Sequence, residues 1–185
     1  MLESSGHAFI AGTAADEFAA AHGIQTVSNE YFSSYARCAQ FEAVSSGNPG
    51  LKKHPQTVGA VVLDAGNNLL VASSTGGVVN KAAGRIGDTA IPGSGVFADR
   101  QIAVTCSGEG DAFLQKSVAS QVAGMATYGS VPASKAARVI LEDLRKQFEA
   151  SGGIISLDVK GSVDIESTSK SFFVAAAPKN QPAWS

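Results

Sequence analysis

The sequence QTVGAVVLDAGNNLLVASSTGGVVNKAAGRIGD, residues 56–88, decides the fold. Its first part, Thr57–Leu63, is apolar and rich in β-branched residues, which predicts a strand buried on both faces. The next five residues, Asp-Ala-Gly-Asn-Asn, have the composition of a hairpin turn, and a second strand is predicted over residues 69–73. In an antiparallel hairpin the start of one strand lies beside the end of the other. We therefore expect the hydroxyls of Thr57 and Thr75 to lie close together at one edge of a sheet.

Apolar runs and helical periodicity predict the elements outside this stretch. A first helix is predicted to begin with Thr13 as its N-cap and to end at Gly23, a left-handed C-cap. Further helices are predicted over residues 31–44, 111–128 and 132–150. Strands are predicted over residues 7–11, 102–106, 154–157, 162–166 and 171–176. Two adjacent helices between groups of strands argue against a doubly wound parallel sheet and favour an α+β fold of two sheets with outer helices.

The totals describe an ordinary globular chain. At 185 residues it is long enough for one compact domain, with 44% hydrophobic and 16% charged residues. A net charge of −2 gives no electrostatic reason to expect nucleic acid or an anionic membrane as a partner. Cys38 and Cys106 make neither a disulfide framework nor a set of metal ligands, so we expect no metal and no cofactor. With neither a signal peptide nor a long apolar run visible, a cytoplasmic location is expected.

Five pieces of sequence, taken in order, resemble the plant-type asparaginases, the isoaspartyl peptidase/L-asparaginase family of N-terminal-nucleophile hydrolases. The pieces are TVGAVVLD at 57–64, STGGVVNK at 74–81, GRIGD at 84–88, SGEGD at 107–111 and GGIISLD at 152–158. The resemblance implies a four-layer αββα sandwich and a homodimer. It also implies an amidohydrolase that releases aspartate from L-asparagine or β-aspartyl peptides.

The family makes a precursor that cleaves its own backbone just before a threonine, which implies cleavage between Gln56 and Thr57. Residues 1–56 would then be a shortened α-subunit portion ending in a linker, and residues 57–185 the β-subunit portion, the two forming one compact domain. The linker sequence SSGNPGLKKHPQ, residues 45–56, has the composition of an exposed loop, which a self-cleaving precursor needs at this point.

The resemblance implies that Thr57 is the nucleophile and that Thr75 is an active-site residue, which could hydrogen-bond the Thr57 hydroxyl. A threonine hydroxyl needs a base, and the α-amine of an N-terminal threonine, with a pKa of ~8, can serve as one. Without the resemblance, Thr57 reads as a β-branched strand residue and Thr75 as a turn-forming hydroxyl.

Arg85 and Asp88 lie three residues apart in a glycine-rich segment. A local ion pair is one interpretation. The family resemblance implies another, in which the guanidinium grips a substrate α-carboxylate and the aspartate holds the α-ammonium. Ser107 and Gly108 match a Thr-Gly pair of the family that contacts substrate and contributes to the oxyanion site.

The family's precursors extend further before the part that corresponds to residues 7–32. That extension holds a core strand, a sodium-binding loop and an asparagine of the oxyanion hole. One oxyanion donor is worth ~10²–10³ in rate, so we expect slow turnover from this sequence. An uncovered sheet edge recruits another edge, which adds to the expectation of a dimer.

Two other functions are compatible with the sequence. A glycosylasparaginase-like amidase is suggested by GDTAIPGSGVFAD at 87–99, SGEGD at 107–111 and KNQP at 179–182, although Gly76-Gly77 favours an asparaginase. The other is a non-catalytic remnant that binds an amino acid or a partner.

Overall fold

A computed structural model describes residues 4–47, 57–177 and 183. The chain divides into two compact units, Met1–Leu51 and Lys52–Ser185, and each has an architecture of its own. The proposed cleavage residue Gln56, most of the linker and the KNQP sequence lie outside the described residues. In the described part of the chain, no helix is long and apolar enough to cross a membrane.

The first unit contains two helices, α1 over Thr13–Ala21 and α2 over Tyr35–Ser45, with a 3₁₀ turn at Asn29–Phe32 between them. The predicted strand at residues 7–11 is wrong, because that segment has no regular structure. The predicted helix at residues 31–44 is wrong in its first turn.

The break before α2 has a local cause. Ser34 is the N-cap of α2, and its side chain accepts a hydrogen bond from the backbone N–H of Arg37 at 3.4 Å. A serine that caps the helix in this way has an extended backbone, so the preceding 3₁₀ turn cannot continue into α2.

The two ends of α1 differ in how well the sequence predicted them. The N-cap is Gly12 rather than Thr13, because the carbonyl of Gly12 accepts the first helical bond, from Ala15 N–H at 2.9 Å. The predicted left-handed C-cap is confirmed: Gly23 has φ +74°, and it donates to the carbonyl of Ala20 at 3.0 Å.

In the second unit, β1 over Thr57–Leu63 and β2 over Leu69–Thr75 form the predicted antiparallel hairpin. The side chain of Asp64 organises the turn, since its Oδ1 accepts from the backbone N–H groups of Gly66 and Asn68 at 2.7 and 2.8 Å. The register pairs the first residue of β1 directly with the last residue of β2.

One face of the hairpin is exposed, so the prediction that β1 is buried on both faces is wrong. Val58 is 71% exposed and Val62 is 49% exposed. The other face packs on a second sheet at Gly59, where a Cβ atom would lie only 2.3 Å from Oγ1 of Thr105. The glycine therefore allows the two sheets to approach each other closely.

The second sheet has four antiparallel strands in the order β3-β4-β5-β6. Their bounds are Val96–Ala98 for β3, Ile102–Gly108 for β4, Gly152–Asp158 for β5 and Val163–Ser167 for β6. Strands β4, β5 and β6 confirm predicted strands. Strand β3 lies in a glycine-rich segment for which the sequence predicted no strand. The strand predicted at residues 171–176 does not form; only an isolated bridge residue occurs there.

Three helices follow β4: α3 over Gly110–Lys116, α4 over Val118–Thr127 and α5 over Ala133–Phe148. The single helix predicted at residues 111–128 is wrong, because Ser117 has a left-handed backbone, φ 49° and ψ 51°. The break lets α4 turn its first N–H groups towards the preceding loop. Ser120 donates to the carbonyl of Gly93 at 2.8 Å instead of to the previous helix.

The core lies between the four-stranded sheet and the helices. Strand β4 is buried along most of its length, and alternate residues of it join apolar residues of α4 and α5 in one cluster. Its fully buried members include Val104, Phe113, Val122, Leu144 and Ile154. Within the second unit the layers are therefore hairpin, sheet and helices, which agrees with the predicted α+β class.

The contact between Gly59 and Thr105 makes a testable prediction about stability. We expect Gly59→Ala to lower the free energy of unfolding by about 1–3 kcal/mol, since the added methyl group overpacks the space between the sheets. Urea unfolding monitored by circular dichroism measures the change.

The control is Gly124→Ala in α4, where a Cβ would meet nothing within 4 Å. It should be neutral or slightly stabilising, since alanine favours a helix. Adding Thr105→Ala to Gly59→Ala should recover part of the loss. Equal stability of Gly59→Ala and the wild type would contradict the close contact.

Candidate active site

A cavity opens at the end of the hairpin where β1 begins and β2 ends. Five of the residues singled out in the sequence line it: Thr57, Thr75, Arg85, Asp88 and Gly108. They come from β1, β2, the glycine-rich segment and the end of β4, so residues far apart in sequence meet at one place. The other lining residues are Gly77, Val78, Gly87, Thr89 and Gly110.

The two threonines are neighbours, as the hairpin predicted. Thr57 pairs directly with Thr75 in the register of β1 and β2. The Oγ1 atom of Thr75 accepts a hydrogen bond from the backbone N–H of Gly77 at 3.0 Å, which orients this hydroxyl at the cavity. The turn-forming role considered for Thr75 is therefore observed, alongside its position next to Thr57.

Asp88 is the most buried charged group of the cavity, with 4% of its surface exposed. Burial raises the pKa of its carboxyl from 3.8 to about 6, although backbone N–H groups of Asp88 and Thr89 and the positive charge of Arg85 oppose the shift. Its Oδ2 atom is buried and has no hydrogen-bond partner among the described residues. A buried carboxylate oxygen with unused acceptor capacity suits a cationic ligand group.

Glycines make room for the charged side chains. A Cβ on Gly110 would lie 2.7 Å from Oδ1 of Asp88 and 3.1 Å from Nη2 of Arg85. A Cβ on Gly95 would lie 2.7 Å from the backbone of Asp88. Glycine at positions 95 and 110 thus has a packing reason, because a side chain at either position would push Asp88 out of place.

Arg85 does not form the local ion pair with Asp88 that was one interpretation of the sequence. Its guanidinium instead donates to Oδ2 of Asp111, from Nε at 3.3 Å and from Nη2 at 3.0 Å. The side chain of Arg85 is 15% exposed and that of Asp111 is 67% exposed. Arg85 therefore brings a largely buried positive charge to the wall of the cavity.

Ser107 and Gly108 end β4 and pair with Gly153 and Gly152 of β5. Gly108 lines the cavity, but Ser107, which the structure also describes, is not one of its lining residues. A Cβ on Gly108 would lie 2.5 Å from the ring of Phe113, so this position accepts only glycine without rearrangement. The close packing places the backbone of residue 108 at the cavity.

Sequence reasoning missed several contributors to this site, among them two lining residues and the ion-pair partner of Arg85. Thr89, which is 6% exposed, and Gly110 line the cavity, and Asp111 binds Arg85. The piece SGEGD contains two of them, but only the pairing of Ser107-Gly108 with the family suggested a role. Among the described residues, no three His, Cys, Asp or Glu side chains cluster as a metal site would require.

The burial of Asp88 makes a prediction about pH. The charged carboxylate is disfavoured in the folded protein, so this residue lowers the free energy of unfolding as the pH rises from about 4 to 6. Asp88→Asn removes the effect. We expect the stability of the variant relative to the wild type to increase by up to about 3 kcal/mol between pH 4 and pH 7.

Urea unfolding of both proteins at several pH values measures the difference. Asp143→Asn is the matched control, because a hydrogen bond from Lys116 lowers the pKa of Asp143 and its contribution to stability has the opposite sign. Parallel curves for Asp88→Asn and the wild type would contradict a raised pKa at Asp88.

Comparison with known proteins gives this geometry a family context. Residues 1–184 match the asparaginase family. The isoaspartyl peptidase of Escherichia coli strain K12 is 38% identical over 175 residues, which cover 88% of this chain and 54% of that protein. The isoaspartyl peptidase/L-asparaginase of Bos taurus is 34% identical over 182 residues, covering 96% and 59%.

The isoaspartyl peptidase of Salmonella typhimurium is 35% identical over 187 residues, covering 95% of this chain and 59% of that protein. The chain thus spans slightly more than half the length of these curated relatives. Since the family match extends over nearly the whole chain, the chain belongs to the asparaginase family, whose matched members are isoaspartyl peptidases and isoaspartyl peptidase/L-asparaginases.

Proposed function

We propose that the protein is an amidohydrolase that releases aspartate from L-asparagine or β-aspartyl peptides. Its nucleophile is Thr57, freed as an N-terminus by self-cleavage of the Gln56–Thr57 bond. The observation that carries the proposal is that Thr57, Thr75, Arg85 and Asp88 line one cavity in a member of the asparaginase family.

The chemistry needs only groups that an N-terminal threonine supplies. The hydroxyl oxygen of Thr57 attacks the side-chain carbonyl carbon of the substrate, and the α-amine accepts the hydroxyl proton. The C–N bond then breaks, the nitrogen takes the proton from the α-ammonium of Thr57 and leaves as ammonia or as the amine of a peptide, and a β-aspartyl ester remains on Thr57. Water hydrolyses the ester and releases aspartate. Thr75 supports the attacking hydroxyl by hydrogen bonding.

Charge complementarity favours an aspartyl group as the part of the substrate that is recognised. The guanidinium of Arg85 matches an α-carboxylate in bidentate geometry. The buried Oδ2 of Asp88, which has no hydrogen-bond partner in the described part of the chain, matches an α-ammonium, and that charge also compensates for the cost of burying the carboxylate. The backbone of Gly108, with the hydroxyl of Ser107 beside it, contacts the reacting carbonyl.

The proposal includes a wider architecture. The hairpin, the four-stranded sheet and the helices of the second unit form three successive layers, and the four-layer αββα sandwich of the family is part of the proposal. The αβ unit pairs with a second copy as a homodimer. A cytoplasmic location is also part of the proposal.

Self-cleavage is the first test. On incubation the chain should yield fragments 1–56 and 57–185, and Thr57→Ala should remain intact, because the variant lacks the attacking hydroxyl. Intact-mass spectrometry identifies the cleavage point to the residue. Ammonia release from L-asparagine, with size-exclusion chromatography alongside, then measures turnover and the oligomeric state.

The matched control is Thr168→Ala, a threonine of the second unit that hydrogen-bonds to Gly152 and does not line the cavity. It should cleave like the wild type. Cleavage at another bond, or cleavage of Thr57→Ala, would remove Thr57 as the nucleophile. An uncleaved wild type would favour a non-catalytic amino-acid binder.

Substrate capture is the second test. Arg85→Lys keeps the positive charge and loses the bidentate fork, so the KM for L-asparagine should rise about tenfold or more. Steady-state ammonia release measures it. Arg138→Lys, at an exposed arginine paired with Glu166, is the control and should leave the KM unchanged. A normal KM in Arg85→Lys would exclude Arg85 from substrate binding.

A further inference from the structure

Asp111 holds one edge of the Arg85 guanidinium. Its Oδ2 accepts from both Nε and Nη2, the two nitrogens on one side of the planar group. A guanidinium presents a second bidentate edge through its two terminal nitrogens, Nη1 and Nη2. Within the described part of the chain, no residue accepts a hydrogen bond from Nη1. The edge formed by Nη1 and Nη2, called the end-on edge below, therefore remains available to a ligand.

Among the described residues, Asp111 is the group that can hold the side chain of Arg85 in place. Gly87 and Gly110 lie against the guanidinium. A Cβ added to Gly87 would lie 3.1 Å from Nη1, and a Cβ added to Gly110 would lie 3.1 Å from Nη2. These glycines give the group space to lie flat but provide no side chain to hold it. Asp111, in the first turn of α3, is the one carboxylate paired with Arg85 among the described residues.

We propose that Asp111 is a positioning residue that fixes the Arg85 guanidinium, so that its end-on edge receives the α-carboxylate of an aspartyl ligand. This inference rests on the proposed function, because it assigns a role in the same site. Asp111 acts through Arg85 and does not touch the ligand. The ordering of a long, flexible side chain before binding removes an entropic cost that the ligand would otherwise meet.

Asp111 also affects the other half of the site. The charged side chains that act on Asp88 are Arg85 on its own segment and Asp111 on α3, while the buried thiol of Cys106 on β4 is neutral because burial and Asp88 raise its pKa. The negative charge of Asp111 raises the pKa of Asp88, and the positive charge of Arg85 lowers it. Neutralising Asp111 removes this raising effect and should shift the titration of Asp88 to lower pH, whereas Asp111→Glu keeps the negative charge and should leave the titration unchanged.

The test compares Asp111→Asn with Asp111→Glu and with Glu166→Gln. Glu166 accepts from Nε and Nη2 of Arg138, so its variant breaks an equivalent side-on arginine pair outside the cavity. The first readout is the ¹⁵N relaxation of the Arg85 Nε–H group in the ligand-free protein. The second is the Kd for L-aspartate by calorimetry, and the third is the NMR titration of the Asp88 carboxyl.

In Asp111→Asn we expect a more mobile Arg85, a Kd for L-aspartate weakened about 3- to 10-fold, and a lower pKa of Asp88. Asp111→Glu should restore much of the affinity, and Glu166→Gln should match the wild type. Where turnover is measurable, Asp111→Asn should raise the KM and leave kcat unchanged.

An equally rigid Arg85 in Asp111→Asn overturns the inference, whether or not L-aspartate binds. So does tighter L-aspartate binding by that variant, which would make Asp111 a competitor of the ligand. Failure of the wild type to bind millimolar L-aspartate is a different result. It overturns the proposed function and the carboxylate assignment together, while the mobility of Arg85 still decides whether Asp111 fixes it.

Discussion

The close contact between Gly59 and Thr105 joins the hairpin to the four-stranded sheet, and the cavity depends on it. Gly59 lies two residues after Thr57, and Thr105 lies three residues before Gly108. A larger residue at position 59 would separate the sheets at the point where both strands approach the cavity. The distance between the candidate nucleophile and the end of β4 is therefore set by the absence of a side chain two residues away.

The site combines a buried carboxylate with neighbours that do not fully compensate for its charge. Asp88 has a raised pKa and an oxygen that no described residue hydrogen-bonds, although Arg85 lies nearby. Asp111 takes one edge of the Arg85 guanidinium, and Arg85 acts on Asp88 through its charge without pairing with it. Such an arrangement lowers the stability of the folded protein at neutral pH and leaves binding capacity for a ligand that carries both charges.

The hairpin and the four-stranded sheet differ sharply in burial although their sequences are similar. Strand β4 is covered on both faces, by the hairpin on one side and the helices on the other. Strand β1 is equally apolar but is covered on only one face, with Val58 and Val62 exposed. A continuous apolar run is necessary for burial on both faces, but it does not determine which strand becomes the central one.

The sequence by itself determined the hairpin, its turn, the pairing of Thr57 with Thr75, and the family, because each depends on local chemistry or on motif order. It also indicated Arg85 and Asp88 as neighbours in a glycine-rich segment. Only the tertiary structure decided that Arg85 pairs with Asp111 rather than with Asp88, that Ser117 divides a predicted helix, and that one face of β1 is exposed. These features depend on contacts between segments distant in sequence, and periodicity and composition carry no information about such contacts.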